Sequence, residues 1–437
     1  MTAGLCRKVG VAVILVSAGG CSFGPRALQT NRVKYNEVLR QTWSEEFLLN
    51  LVRLRYRDPP QFDAVTNILS SHAFEAGVNE REELRSFASP AVRSSPQNLY
   101  NLHLFGGTAG VAERPTFSIS PLEGADFFHQ LLGHIPVESL VLLANTGWDI
   151  DRVLRLTVQE MNGLENVRQV HGVQDHPPRY EEFTAVAHRL GRLQRAGGLE
   201  VAHADFDEPL SEPVADLKVG AADLINAAGR NYRFHQVGPD RVALRGRERH
   251  PVMRFAARSW GEPAGPADVA EVLNLIPGQP AYKLVQGAGQ GQFAPDPGPR
   301  AELTVSTRSP LGMMLLASKG VEVPARDVEQ GLVEVPVDEC GRPFDWTCVT
   351  GDLIRIHSQP KKPHRAFVCV KYRGSYFYID DDDLVSKTTF ALIIQVFGLQ
   401  RAAGVTPGPV VTVPVGGGLQ AGSNAPAGGG RGGGNGP

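Results

Sequence analysis

The sequence predicts an α+β chain of several domains, a helix-rich N-terminal region followed by smaller mixed α/β units. Three observations predict it. Tyr35, Leu39, Trp43, Phe47 and Leu51 recur every four residues, with Val38 and Leu54 widening the stripe into an amphipathic helix. Short β-branched and aromatic runs, punctuated by Gly and Pro, fill much of the remainder. With 437 residues, 42% of them hydrophobic, the chain can bury cores for two or three domains.

Residues 1–20 read as an export signal. Arg7 and Lys8 form a positive start, and Val9 to Val16 is apolar apart from Gly10. That run is shorter than the roughly 20 apolar residues a membrane-spanning helix needs. Ser17, Ala18, Gly19 and Gly20 then lead to Cys21. The order resembles the lipobox of bacterial lipoproteins, with Ala18 where that pattern favours Leu. It implies that Cys21 becomes the lipidated N-terminus and tethers the chain to a membrane. Ser22, in place of the Asp that retains lipoproteins at the inner membrane, implies the outer membrane, facing the periplasm.

Residues 21–34 are then a lipidated tether. Residues 35–175 are expected to form a mainly helical domain with an inserted β-like hairpin at about 62–119. Asp58-Pro59-Pro60 ends the first helix. The inserted β-like stretches cover about 62–79 and 99–119. Helices are expected at Ala125–Leu132, Pro136–Asn145 and Asp149–Asn162. Pro136 suits a first helical position, Asp149 a cap, and Gly163 a left-handed terminus.

Residues 176–260 read as a small α+β domain. Its elements are a helix near Tyr180–Gln194 and strands at Leu199–Ala204, Arg233–Val237 and Arg241–Leu244, the last two joined by a turn at Val237–Arg241. The basic run Arg245-Gly-Arg-Glu-Arg-His250 is placed near a turn, on a solvated surface. Residues 261–400 form the C-terminal α+β domain. It has helices at Ala267–Leu275 and Pro310–Lys319, a hairpin (Ala366–Tyr372 and Ser375–Ile379) turning at Arg373-Gly374, and a last helix from Leu384 to Leu399. Residues 401–437 are a Gly/Pro-rich tail with too few large apolar groups to order, save Val410–Val413 as a candidate edge strand.

Charge excludes one class of partner. The formal net charge is -2, and loss of Arg7 and Lys8 with the signal leaves 42 basic against 46 acidic residues. No basic field is present to hold nucleic acid. Of the five cysteines, Cys6 leaves with the signal and Cys21 takes lipid. Cys340 and Cys348 bracket a short segment that a disulfide can close in an oxidising periplasm. Cys369 lies in an apolar run and reads as a buried free thiol. The spacings lack a C-x-x-C pair, so no zinc site is expected.

Three stretches resemble a family of bacterial envelope lipoproteins. They run from Tyr35 through Trp43-Ser-Glu-Glu-Phe47 to Pro60, from Thr146-Gly-Trp-Asp149 to Gly163, and from Tyr372-Arg-Gly-Ser-Tyr-Phe-Tyr-Ile-Asp380 to Phe390. The resemblance supports the lipoprotein reading and implies no activity, cofactor or catalytic residue.

Candidate chemistry is thin. Asp380 to Asp383 could bind a cation, but Asp before an apolar helix is better read as its cap. Gly287-Ala-Gly-Gln-Gly291 lacks the helix a dinucleotide loop needs, because Pro295, Pro297 and Pro299 follow. Ser358 and Lys361 match S-x-x-K only as letters, with Pro360 and Pro363 breaking the turn. The twelve histidines show no ligand-like pair; His171 and His176 flank a loop with Asp175. Trp43, Trp148, Trp260 and Trp346 are read as core or contact residues. The aromatic hairpin of Tyr372, Tyr376, Phe377 and Tyr378 is expected to pack on the last helix. No catalytic residue, cofactor or metal is assigned.

The first functional reading is therefore a non-enzymatic, membrane-anchored scaffold or binding module working with other envelope proteins. A subunit of an oligomeric outer-membrane pore or export complex is the alternative. The strands near 62–79 and 99–112 are long enough for a membrane hairpin, although they alternate weakly and His72, Glu75 and His103 require a lumen face. A cell-wall enzyme without a recognised motif is the third.

Overall fold

The computed structural model describes residues 23–78, 102–104, 107–122, 124–167, 178–215, 218–263, 265–287, 298–337, 341–401 and 411–414. The chain is α+β and divides into two compact units. One comprises Met1–Pro60 with Ala125–Val405, the other Gln61–Gly124 with Thr406–Pro437.

The first unit opens with α1 (Phe23–Arg55). Residues 23–34, expected as a tether, are instead helical. No helix breaker follows Pro25 until Asp58, and Pro25 stands in the first turn, where its missing N–H costs nothing. Only the second half of α1 is sealed. Phe47, Leu48, Leu51 and Val52 are buried, whereas Val33 and Val38 are exposed.

The chain then enters the second unit, formed by β1 (Asp63–Val78), β2 (Leu102–Leu104) and β3 (Gly107–Pro121), and returns to it at the end with β15 (Val411–Pro414). β1 and β3 pair antiparallel along their whole length, with one bulge between Val65 and Asn67. β2 and β15 both pair with β3. Of the tail, Val411–Pro414 is thus a strand, one residue on from the expected Val410–Val413, Arg401 ends the last helix, and the rest lies outside the described residues.

Back in the first unit come α2 (Ala125–Leu132), α3 (Val137–Asn145) and α4 (Ile150–Thr157). Asp149 caps α4, its carboxylate accepting from the Asp151 N–H at 3.1 Å. α4 stops five residues earlier than the sequence pattern predicts. Val158 takes extended backbone and begins β4 (Val158–Met161), which pairs with β5 (Leu164–Glu165). Gly163 therefore closes a hairpin rather than a helix. Asn162 and Gly163 have φ of 47° and 91°, the two positive values a two-residue hairpin turn demands.

Next come α5 (Glu181–Arg195), β6 (Leu199–Pro209), β7 (Val214–Ala215), α6 (Ala221–Gly229), β8 (Tyr232–Gly238) and β9 (Arg241–Phe255). They are followed by α7 (Pro266–Val272), β10 (Ala281–Gln286), β11 (Glu302–Thr307) and α8 (Pro310–Ser318). Eight strands form one sheet in the order β5-β4-β11-β10-β9-β6, with β7 and β8 also on β9. This corrects the expected boundaries at 175/176 and 260/261, because the sheet runs through all three proposed domains. β10 and β11 are its parallel pair. Arg245–His250 also moves: it lies within β9, paired to β6, and not near a turn.

The chain ends with α9 (Ala325–Glu329), α10 (Thr347–Thr350), β12 (His357–Gln359), β13 (Val368–Tyr372), β14 (Ser375–Ile379) and α11 (Leu384–Arg401). β12, β14 and β13 make a three-stranded antiparallel sheet. α8 is apolar on all sides and has seven of its nine residues buried, as a helix at the centre of a core must be. Nearby, Phe47 of α1 meets Phe390 and Phe397 of α11 edge-on, with ring centroids 5.9 and 5.6 Å apart. Among the described residues no single helix is long and apolar enough to cross a membrane. The bent pair α2–α3 passes by length and composition only, and five of the nine α3 residues are buried.

Candidate functional site

The charged side chains inside the first unit work as joints between elements. Arg155 on α4 is buried and grips Asp352 with two hydrogen bonds of 2.6 Å while donating to the Val349 carbonyl at 3.0 Å. His188 on α5 stands between two carboxylates, its Nδ1 3.1 Å from Asp151 and its Nε2 3.8 Å from Asp352. Burial pushes the Asp151 carboxyl up, against the pull of Arg155 and His188. At Asp352 burial acts in the same upward sense, but the Arg155 bonds outweigh it and hold the carboxyl below its ordinary value. Arg308 is fully buried and spends its guanidinium on the carbonyls of Asn166 and Val167.

A second joint closes the end of α1. Tyr56 donates to the buried Asp327, and Tyr372 and Arg373 bond Asp58. The Arg373 guanidinium stacks over both tyrosine rings, 5.3 and 5.5 Å from their centroids. Tyr372 and Phe377 of the hairpin pack on the end of α1, while Phe367 at its start meets the last helix as expected, 6.2 Å from the Phe390 ring and 5.0 Å from the Lys387 ammonium. Tyr372 lies 5.5 Å and Phe377 6.2 Å from the Tyr56 ring.

The other residues singled out by sequence are placed as follows. Asp383 caps α11, accepting from the Ser386 N–H at 2.9 Å; Asp381 pairs with Lys387 at 2.7 Å. Burial raises the Asp383 carboxyl, but the Ser386 hydroxyl and backbone bonds prevail and lower it. Ser358 lies on β12, opposite Phe377, with no helical turn to Lys361. Trp346 is buried with Lys319 4.9 Å above its ring, Trp260 packs on Phe255, and Trp148 donates to Gln395. Trp43 is half-buried. Cys348 is a free, exposed thiol, and Cys369 is free and half-buried. Cys21, Cys340, His171, Asp175, His176 and most of the Gly287–Gly291 stretch lie outside the described residues.

Two arrangements escaped the sequence reading. The first is the sorting of residue types in the β1–β3 sheet. Register puts Val65 opposite Ile119, Ile68 opposite Phe117, Phe74 opposite Val111 and Ala76 opposite Ala109 on one face, joined by Leu102, Leu104, Val411 and Val413. The other face takes Asn67, Ser71, Glu75, Thr108, Arg114, Thr116, Ser118, His103 and Thr412, with Leu69 the one large apolar residue among them. The bulge after Val65 shifts the alternation by one residue, so a strict period-two count along β1 fails although the sheet itself is two-sided. Glu75 and His103 fall on the polar face, and His72 stands on the apolar face directly opposite Glu113.

The second is a set of donors where β6 and β9 meet β10. Glu208, Glu248 and His250 offer three ligand atoms all within 4.8 Å of one another. The signal was present as Glu248-x-His250, which puts two donors on one face of a strand, but placing their run in a turn hid it.

No protein-family model, no curated protein and no solved structure matches this chain.

Proposed function

We propose that this protein is a lipid-anchored, non-enzymatic envelope protein, and that its β1–β3 sheet is one protomer's share of an oligomeric outer-membrane pore. The two-sided register of that sheet carries the reading. β1 and β3 have 16 and 15 residues, more than the roughly 9–11 that span a bilayer. Lipid-facing strands alternate apolar and polar residues, and here nearly every large apolar residue falls on one face while Glu75 and Arg114 fall on the other. The exceptions are Leu69, on the polar face, and Ser70, His72 and Glu113, on the apolar one, where His72 and Glu113 are directly opposed.

Edges supply the argument for several copies. Among the described residues, β1 is paired on one side only. A strand of that length with an open row of N–H and C=O groups is a template for another strand, and inside a membrane only a closed barrel satisfies such groups. Neighbouring copies would supply the missing pairing. Lipid on Cys21 would hold each copy at the membrane surface, and exposed Leu224 and Ile225 on α6 leave apolar surface for contacts with other envelope proteins.

Reconstitution tests this reading. Full-length protein extracted from membranes in detergent should run as an oligomer and conduct ions in a planar bilayer. Deleting residues 64–120 should abolish conductance while the first unit remains folded by circular dichroism. A monomer that stays with the membrane solely through Cys21, as shown by complete release of Cys21→Ala, would leave the binding-module reading and remove the pore.

A further inference from the structure

We infer that Glu208, Glu248 and His250 form a binding site for a divalent transition-metal ion such as zinc. In the register of β6 and β9, Glu248 stands opposite Phe206, His250 opposite Ala204, and Glu208 opposite Gly246. All three donors thus rise from the same face of two adjacent strands, held by a backbone ladder instead of by loops. His250 Nε2 lies 3.1 Å from Glu208 Oε1 and 3.6 Å from Glu248 Oε2. Zinc bonds of about 2.0–2.2 Å at tetrahedral angles separate neighbouring donors by about 3.3–3.6 Å. The 3.6 Å between the imidazole nitrogen and Glu248 is that of ligands sharing one ion, and the 3.1 Å to Glu208 has to open by a few tenths of an ångström to match it.

The imidazole supports this assignment independently. Nε2 is shielded from solvent and faces two carboxylate oxygens, the nearer of them the Glu208 oxygen at 3.1 Å. One imidazole nitrogen cannot serve both carboxylates equally well. A cation placed between it and the carboxylates satisfies all three groups.

Lys283 on β10 is the resident competitor. Its ammonium bonds Glu208 and sits 5.9 Å from the Phe206 ring centroid. Together with His250 it holds the Glu208 carboxyl below its ordinary value despite burial. The ammonium already occupies part of the cation's place, so the metal must displace it. One imidazole with two carboxylates is a donor set that suits zinc and its neighbours better than calcium, which takes six to eight oxygens. Three protein ligands leave a fourth position for water, and the bound ion ties β6 to β9 at the base of the strands carrying β7, β8 and α6.

Cobalt and zinc titrations of tag-free protein test the site. Cobalt should give a visible absorption band saturating at one ion per chain, which zinc then bleaches. His250→Ala and the shape-conserving Glu248→Gln should each weaken binding by at least about 100-fold, more than the loss of an outer-shell partner costs, with circular dichroism unchanged. Lys283→Met should tighten it. Absence of a saturable band, or wild-type affinity in both ligand variants, would overturn the assignment.

Discussion

Tyr56 and Asp327 lie 271 positions apart in sequence and share a buried hydrogen bond of 2.6 Å from the phenol to Oδ2. Burial and this bond both push the phenol's pKa up, so the tyrosine stays a donor. With Tyr372 bound to Asp58, the contact fastens the end of α1 to α9 and to the β13–β14 hairpin. Tyr56→Phe strips one partner from a buried carboxylate and should cost about 1–3 kcal/mol in urea denaturation. A loss under about 0.5 kcal/mol would show that Arg326, 3.1 Å from the other oxygen, suffices.

Arg155 and Asp352 should behave asymmetrically. The arginine is buried and the aspartate side chain is half exposed. Asp352→Asn leaves a buried guanidinium with a weaker partner and should destabilise by about 1–3 kcal/mol. Arg155→Met in the Asp352→Asn background should recover part of that loss, measured as a double-mutant cycle.

Lys319 should impose a pH dependence. Burial lowers its pKa from 10.5 to about 8 in the folded chain. Below about pH 8 both states carry the proton and the folded state bears the full cost of the buried charge. Between there and 10.5 the folded state has released the proton and the unfolded state has not, so this contribution to stability rises with pH. Lys319→Met should therefore stabilise most at pH 7, and its advantage should shrink as pH climbs through that window. A constant difference from pH 7 to pH 10.5 would contradict the burial of this ammonium.

Asp383→Ala should cost about 0.5–2 kcal/mol by removing the cap of α11, whereas Asp382→Ala should cost little. Thermal unfolding of the two variants checks the distinction.

How much was legible in the sequence follows from where each signal is stored. Local ones were readable. The helical period of α1's buried half, the Asp149 cap, the Arg373-Gly374 turn and the edge strand in the tail all depend on near neighbours. The domain boundaries were not, because β4, β9 and β11 join one sheet from segments more than 40 residues apart, and such pairing leaves no local mark. The end of α4 was misread because Val158 and Met161 fit a helical stripe as well as a strand. They become a strand only because β11 offers a partner. The Glu208–His250 cluster was hidden for the same reason, since its third ligand comes from another strand.

The most direct test of the pore reading is cysteine scanning along β1 in intact outer membranes. Single cysteines replace residues 67–77 one at a time in a chain whose Cys340, Cys348 and Cys369 are serine, with Cys21 kept for lipidation. The labels are a water-soluble maleimide and a lipid-soluble one. The account predicts an alternating result. Positions 67, 69, 71, 73 and 75 react with the soluble label, and positions 68, 70, 74 and 76 react only with the lipid-borne one. Uniform reaction with the soluble label at both sets would contradict it and place the sheet in water.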